Sequence, residues 1–333
     1  MKSPYTGKDM ILKKEKRAVP FRKESFEVVY QYYLCEESKE QFTTTELDEL
    51  NMGQVWNQYR AAHNIPFPEE IRNIREKYEL SASKMSEILG FGANSYRQYE
   101  AGEVPSIANA RLIQTASNVT GFKQLVDLWN GDAATKEKVY KKITRAEIDK
   151  KEFRIEANLL SYFVGDLQPD IFTGFRKPSL ERFGEMVAFF AERTQPFKTK
   201  MNKLLFYADF LLFKESGQSI SGISYQAIQM GPVPMGFHSL FDYLERNNVI
   251  TIKSVAINED ITGEQFLTHQ YKVFNPALFT AKELDVLNRV AKRFEKSSTR
   301  EIIDTSHLEY AWKENQASKD IISYEYAFDL MYV

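Results

Sequence analysis

Three sets of residues in this chain have types and spacings that could do chemistry. Asn94, Ser95, Arg97 and Gln98 lie between Gly92 and Gly102. An asparagine amide can pair bidentately with adenine, and arginine or glutamine can reach a base or a phosphate. On the exposed side of a helix these four, with Lys84 one helix earlier, would make a reading set for DNA. The second set is Ser3-x-x-Thr6 and Cys35-x-x-Ser38, spaced like two metal knuckles. A tetrahedral zinc site takes four thiolate or imidazole donors, and neutral hydroxyls are poor ligands. No metal is therefore expected there, and a strand-based hydrophobic core should stand in for it. The third set is His307 with Glu309 and Asp209, the residue types of an acid/base site. The four histidines, His63, His238, His269 and His307, lack the spacing of a metal-binding helix, and no Gly-x-x-x-x-Gly-Lys loop occurs. A histidine packing near Trp312 is the expectation, with no enzymatic activity and no cofactor.

Something must position these groups, and composition bounds what that is. The chain has 333 residues, 43% hydrophobic and 14% aromatic, which suits a folded protein of two or three domains. Its 24 Phe and 18 Tyr call for an aromatic-rich core. One cysteine rules out an intramolecular disulfide framework and fits a reducing cytoplasm. No apolar run approaches the roughly 18 residues of a membrane helix, and the N-terminus lacks a secretory h-region. A net charge of -2 gives no global attraction to nucleic acid, so any contact with DNA must be local.

Four regions follow, with an α+β, mainly α-helical fold. Residues 1–65 carry a basic N-terminal arm, then Phe26–Leu34 as a strand, then a helix entered through Thr43-Thr44-Thr45. Residues 66–131 predict five helices. The first opens at Pro68, the second behind Ser83 as its cap, and the third spans Ala93 to Ala101 after the Gly90-Phe91-Gly92 turn. Tyr96 and Tyr99 face the core. The fourth helix runs from Ser106 to Ala116 and the fifth from Gly121 to Trp129. Two short helices about a glycine-containing turn are the helix-turn-helix pattern. Residues 66–130 hold seven Lys/Arg against eight Asp/Glu, so phosphate attraction must come from placement, from the basic arm or from a dimer. Residues 132–154 are a charged solvated helix or linker, and a second basic patch is conceivable through Lys150 and Arg154. Residues 155–333 form a separate domain around the apolar helix Lys200–Phe213. In it Ile223–Met230 is a strand, Gly231-Pro232-Val233-Pro234 a rigid exposed loop, and 249–252 and 270–274 the strands of a small sheet.

The first two regions resemble the MqsA-type antitoxin, a zinc-ribbon-like head followed by an Xre-class helix-turn-helix. The resemblance rests on the Ser3/Thr6 and Cys35/Ser38 pairs, on Phe42–Glu46, and on Gly90–Gly102. It implies that Asn94 reads a base. The family's second reading residue, an arginine, falls on Gln98, and the zinc ligands are lost, so the operator sequence does not carry over. Residues 180–325 resemble the Panacea, or SocA-like, domain. The marks are Lys203–Asp209, then Tyr225-Gln226-Ala227 leading to Gly231–Pro234, and Ser306–Trp312. Panacea domains neutralise unrelated toxins and sometimes serve as protease adaptors.

The resemblances imply an antitoxin that binds a cognate protein toxin and represses its own operon. Partners are then the toxin, operator DNA and a second copy of the chain, without a membrane. Tyr225, Phe237 and Tyr243 are candidate aromatic anchors for the toxin, with core packing the leading role for each taken singly, and Gly231, Pro232, Val233 and Pro234 are the favoured contact element. The alternatives are a stand-alone DNA-binding transcriptional regulator or a protease adaptor.

Overall fold

The computed structural model describes residues 1–165, 167–256 and 262–333, and the side chains of 148–158 lie outside the described set. The chain is mixed, about 52% helix and 16% strand, with small sheets only. No described helix is long and apolar enough to cross a membrane. Contacts divide the chain into two units. One is discontinuous and joins Met1–Val55 to Leu159–Val333; the other is Trp56–Asn158.

Strands β1 (Ile11–Phe21) and β2 (Glu24–Leu34) pair antiparallel from Ile11 opposite Leu34 to Phe21 opposite Glu24. They are joined by Arg22 and Lys23, both at positive φ, as a tight two-residue hairpin turn demands. Half of the residues expected as a basic arm are thus strand. The aromatic and β-branched β2 needs a partner along its length, and β1 supplies it. Much of the arm's charge is also neutralised within the chain. Lys8 pairs with Glu37, Lys14 with Asp329, Lys16 with Glu27 and Glu325, and Arg17 with Glu15.

On its other side β2 meets β3 (Gln41–Phe42) only at Tyr33 and Leu34. Helix α1 (Thr45–His63) completes that edge. Asn51 Oδ1 accepts from Gln31 N–H at 2.8 Å, and its Nδ2 donates to the same residue's carbonyl at 2.9 Å. Gln54 does the same at Val29, at 3.0 and 3.1 Å. Two amides one helical turn apart therefore stand in for a missing strand.

The second unit is helical. It holds α2 (Pro68–Glu76), α3 (Ala82–Ile88), α4 (Ser95–Glu100), α5 (Ile107–Ser117), α6 (Val119–Leu128) and most of α7 (Ala133–Val164). The cap of α3 is Ser81 rather than Ser83: Ser81 Oγ accepts from Lys84 N–H at 3.2 Å. Ser83 already sits inside the first turn. Ser106, expected as the first residue of the fourth helix, is the cap of α5. The charged segment after residue 132 is the start of α7. Val139, Ile143 and Ala146 bury one face of it against a core containing Ile71, Tyr78, Tyr96 and Phe122. The basic patch suggested through Lys150 and Arg154 lies outside the described side chains.

In the C-terminal part of the first unit, α8 (Leu180–Thr194) leads to α9 (Lys198–Ser216), which is buried continuously from Lys200 to Phe213. Strands β4 (Tyr225–Ile228) and β5 (Gly231–Pro234) follow, then α10 (Phe237–Arg246) and the hairpin β6 (Ile250–Ala256) and β7 (Thr262–Thr268). Helices α11 (Ala281–Phe294), α12 (Thr299–Leu308) and α13 (Tyr310–Lys313) and strand β8 (Ile321–Ile322) complete the order, before a 3₁₀ segment at Tyr324–Asp329. Helices α11 and α12 open with reciprocal capping boxes, Thr280 with Glu283 and Ser298 with Glu301. Glu283 also receives Arg176 and Arg182, at 2.6 and 2.5 Å. Burial alone would raise its pKa, but the two guanidiniums hold it below the ordinary value.

Two expectations fail here. Gly231–Pro234 is a buried strand, not an exposed loop. Its prolines are tolerated because β5 lies at the edge of the sheet order β5-β4-β8. Residues 270–274 are not a strand either. Phe274 packs on Phe189 and Lys272 pairs with Glu185, so their pattern encodes tertiary contacts over α8 rather than a ladder.

Candidate functional site

Helix α4 is held from behind. Tyr96 and Tyr99 are buried, as expected; Tyr96 OH donates to the Ile71 carbonyl at 2.7 Å, and Tyr99 OH accepts from Asn109 Nδ2 at 2.8 Å. Ser86 Oγ on α3 accepts from Tyr96 N–H at 3.1 Å, which fixes one helix end on the other. Arg75 grips Glu100 at 2.5 Å. With those residues pinned, Asn94, Arg97 and Gln98 are turned outward and exposed, and Ser95 is half-buried. Asn94 stands at the N-cap position without using its side chain as a cap. Its amide is left available for other partners. Lys84 is more committed: it pairs with Glu87 at 2.6 Å and lies 4.9 Å from the centre of the Trp129 ring.

The head brings its four knuckle positions together. Cys35 is buried, and Thr6 Oγ1 lies 3.5 Å from its sulfur. Ser3 Oγ accepts from the N–H groups of Tyr5 and Thr6, both at 3.3 Å. The Ser38 hydroxyl, then the Thr6 hydroxyl, the Ser38 backbone and the Ser3 hydroxyl lower the Cys35 pKa to about 6, against the opposing effect of burial. One thiol and three hydroxyls do not make a tetrahedral zinc site. They make a hydrogen-bonded nest for a thiolate.

The nest has a spectroscopic consequence. Cys35 is the chain's one cysteine, so thiolate absorbance near 240 nm reports it alone. The absorbance is expected to titrate with a midpoint at about pH 6, and Ser38→Ala should move that midpoint upward by about a unit. Because the folded pKa is depressed, the thiolate supports the fold above the ordinary thiol range. That support fades as the pH falls through about 6. A midpoint at 8 or above would sink the assignment.

Within the C-terminal part, Asp209 is fully buried at the centre of a four-donor cage. Its Oδ1 accepts from Ile220 and Ser221 N–H at 2.7 and 2.8 Å; its Oδ2 accepts from Ser221 Oγ and Tyr225 OH at 2.5 and 2.8 Å. Burial pushes its pKa up, and the same donors oppose that push. Lys203, one and a half turns earlier on α9, is buried as well, and its Nζ donates to the Pro232 carbonyl at 3.0 Å. Desolvation lowers its pKa to about 7. Gly231 sits over it at φ 96°, and a Cβ there would come within 2.5 Å of Lys203 Cε. This explains why glycine opens the strand.

The acid/base trio is dispersed among separate partners. Asp209 serves its cage, His307 stacks on Trp312 at 3.8 Å between ring centres, and Glu309 accepts from Met331 N–H at 3.0 Å. The expected anchors also lie deeper than predicted. Tyr225 is fully buried and bonded to Asp209, and Gly231, Pro232, Val233 and Pro234 are all buried. Phe237 and Tyr243 are half-buried; Phe237 packs on the tilted ring of His238 and Tyr243 packs near Phe163. The sequence did not mark Asn51 and Gln54 as edge-closing residues, since an amide on a helix has no pattern that names its distant partner.

Among the described residues no group of three or more His, Cys, Asp and Glu side chains is placed so that it could hold a metal ion. No curated protein matches the chain. One family does: residues 201–313, from within α9 to the end of α13, match the antitoxin SocA-like, Panacea domain.

Proposed function

We propose that this chain is an antitoxin that acts by binding. Its C-terminal part seals a cognate protein toxin, and its helical unit reads operator DNA as a helix-turn-helix with α4 as the reading helix. The match of residues 201–313 to the SocA-like antitoxin domain carries the first half. The outward row Asn94, Arg97 and Gln98, backed by buried Tyr96 and Tyr99, supports the second. A second copy would supply the second half-site. Half-buried Phe237 and exposed Met230, which flank the buried β5, are better placed for a toxin than the strand itself.

Growth tests the first half: cells expressing the neighbouring open reading frame are grown with and without this chain. Arrest relieved by the chain supports the antitoxin. A harmless neighbour removes that part and leaves a DNA-binding regulator or a protease adaptor. For the second half, Asn94→Ala is expected to weaken specific operator binding by about 1–3 kcal/mol while growth rescue persists. Unchanged operator affinity in a binding titration would take Asn94 out of the reading set.

A further inference from the structure

The head is followed in sequence by the helical unit, yet its contacts place it with the C-terminal part. The points of attachment are specific. On β1, Lys14 and Lys16 occupy the same side of the strand, two residues apart. Lys14 Nζ donates to the Phe328 carbonyl at 2.8 Å and pairs with Asp329, and Lys16 pairs with Glu325 at 3.3 Å. All three acceptor residues belong to the segment after β8, beyond the stretch that matches the Panacea domain.

That segment is a strap stitched to the core at its other side. Tyr324 is fully buried, stacks on Phe210 at 4.4 Å, and donates to the Ile223 carbonyl at 2.8 Å. Lys214 donates to the Leu330 carbonyl, Glu309 accepts from Met331 N–H, and Arg293 donates to the Tyr332 carbonyl. One side of the strap thus grips α9, α11 and the start of α13, and the other is held by two lysines of β1.

We propose that the head is a brace for the C-terminal part, docking through an electrostatic seam between β1 and the 324–332 strap. Its partner is therefore this chain's own strap, whose Glu325 and Asp329 carboxylates and Phe328 carbonyl fit a strand bearing two lysines. The ion pairs are solvent-accessible, so the seam is salt-sensitive, with screening nearly complete at 1 M where the Debye length is about 3 Å.

Amide hydrogen exchange on the full chain tests the brace, read over residues 11–21 and 324–332. Lys14→Glu with Lys16→Glu is expected to speed exchange in the strap by about tenfold, and Lys13→Glu to leave it unchanged. Adding Glu325→Lys and Asp329→Lys should bring the strap back to within about twofold of the parent. No acceleration in the reversed variant, or acceleration that the fourfold variant fails to reverse, overturns the brace.

The consequence for neutralisation rests on the antitoxin reading and is scored separately. Loss of growth rescue in the reversed variant, regained in the fourfold one, assigns the brace to toxin binding, and rescue retained in the reversed variant denies it that role. A parent chain that never rescues strikes the antitoxin reading and leaves the exchange result standing.

Discussion

Replacing Asp209 with alanine is expected to destabilise the C-terminal part by at least ~4 kcal/mol, a fall of about 10 °C in its unfolding midpoint. The change strands four donors at once: two backbone N–H groups, the Ser221 hydroxyl and the Tyr225 hydroxyl, in a region without access to water. Each buried unpaired donor costs about 1–3 kcal/mol, and relaxation recovers part of the sum. Asp209→Asn is the informative companion. It keeps one acceptor for Ile220 and Ser221 and offers an NH₂ group that the two hydroxyls can turn to accept. Burial raises the pKa of Asp209, which brings its carboxyl closer to a neutral acid and so closer to asparagine. The expected order of stability is wild type, then Asn, then Ala, by thermal or urea unfolding. An alanine variant within ~1 kcal/mol of wild type would show that the cage does not hold the Ser219–Tyr225 loop.

Lys203→Met is expected to act in the opposite direction. The folded pKa of Lys203 is about 7 against an ordinary 10.5. Between those values the unfolded chain binds a proton that the native state lacks, so stability rises with pH across that window. It is complete only above about 10.5 and falls away as the pH drops to about 7. The shift corresponds to a burden on the order of 4–5 kcal/mol at neutral pH, at 1.36 kcal/mol per unit. Methionine fills similar space without a charge to desolvate. Against that gain stands the lost bond to the Pro232 carbonyl, about 1–3 kcal/mol. The variant should therefore be more stable at pH 7 by about 1–4 kcal/mol, with the advantage shrinking towards pH 9 and reversing above it. The difference between the two stability curves isolates this lysine from Cys35, which titrates equally in both. Parallel curves from pH 7 to 9 would mean that Lys203 keeps an ordinary pKa.

What could be read in advance was local. Ser106, Thr280 with Glu283, and Ser298 with Glu301 announce helix starts through short-range bonds that any sequence window contains. The burial of α9 follows from its apolar stretches Leu204–Ala208 and Phe210–Phe213, which do not by themselves account for the burial of Lys203 and Asp209 before and between them. Apart from the cap of α3, which is Ser81 and not Ser83, the misses are long-range. Strand β1 is mostly exposed and lysine-rich, so it carries little of the alternation that betrays a strand, and only β2 beside it makes it one. Proline argues against a strand in general, but an edge position cancels that argument, and edge position is a property of the whole sheet. Of the residues singled out for DNA, Asn94, Arg97 and Gln98 are exposed because tyrosine spacing set the buried face of α4. Tyr225 is a different case: no local pattern announces that its hydroxyl belongs to the Asp209 cage.

The amide-closed edge of β2 bears on how the chain emerges from the ribosome. The β1–β2 hairpin can form as soon as Leu34 is clear, but Val29 and Gln31 then offer unpaired backbone groups to any passing strand. Their closure waits for Asn51 and Gln54, which lie 20 and 25 residues further on. At roughly 5–20 residues per second, that exposure lasts about 1–4 s. A nascent head is therefore sticky for seconds and inert thereafter, and slow codons between positions 34 and 54 would lengthen the interval in which neighbouring chains on one polysome can pair.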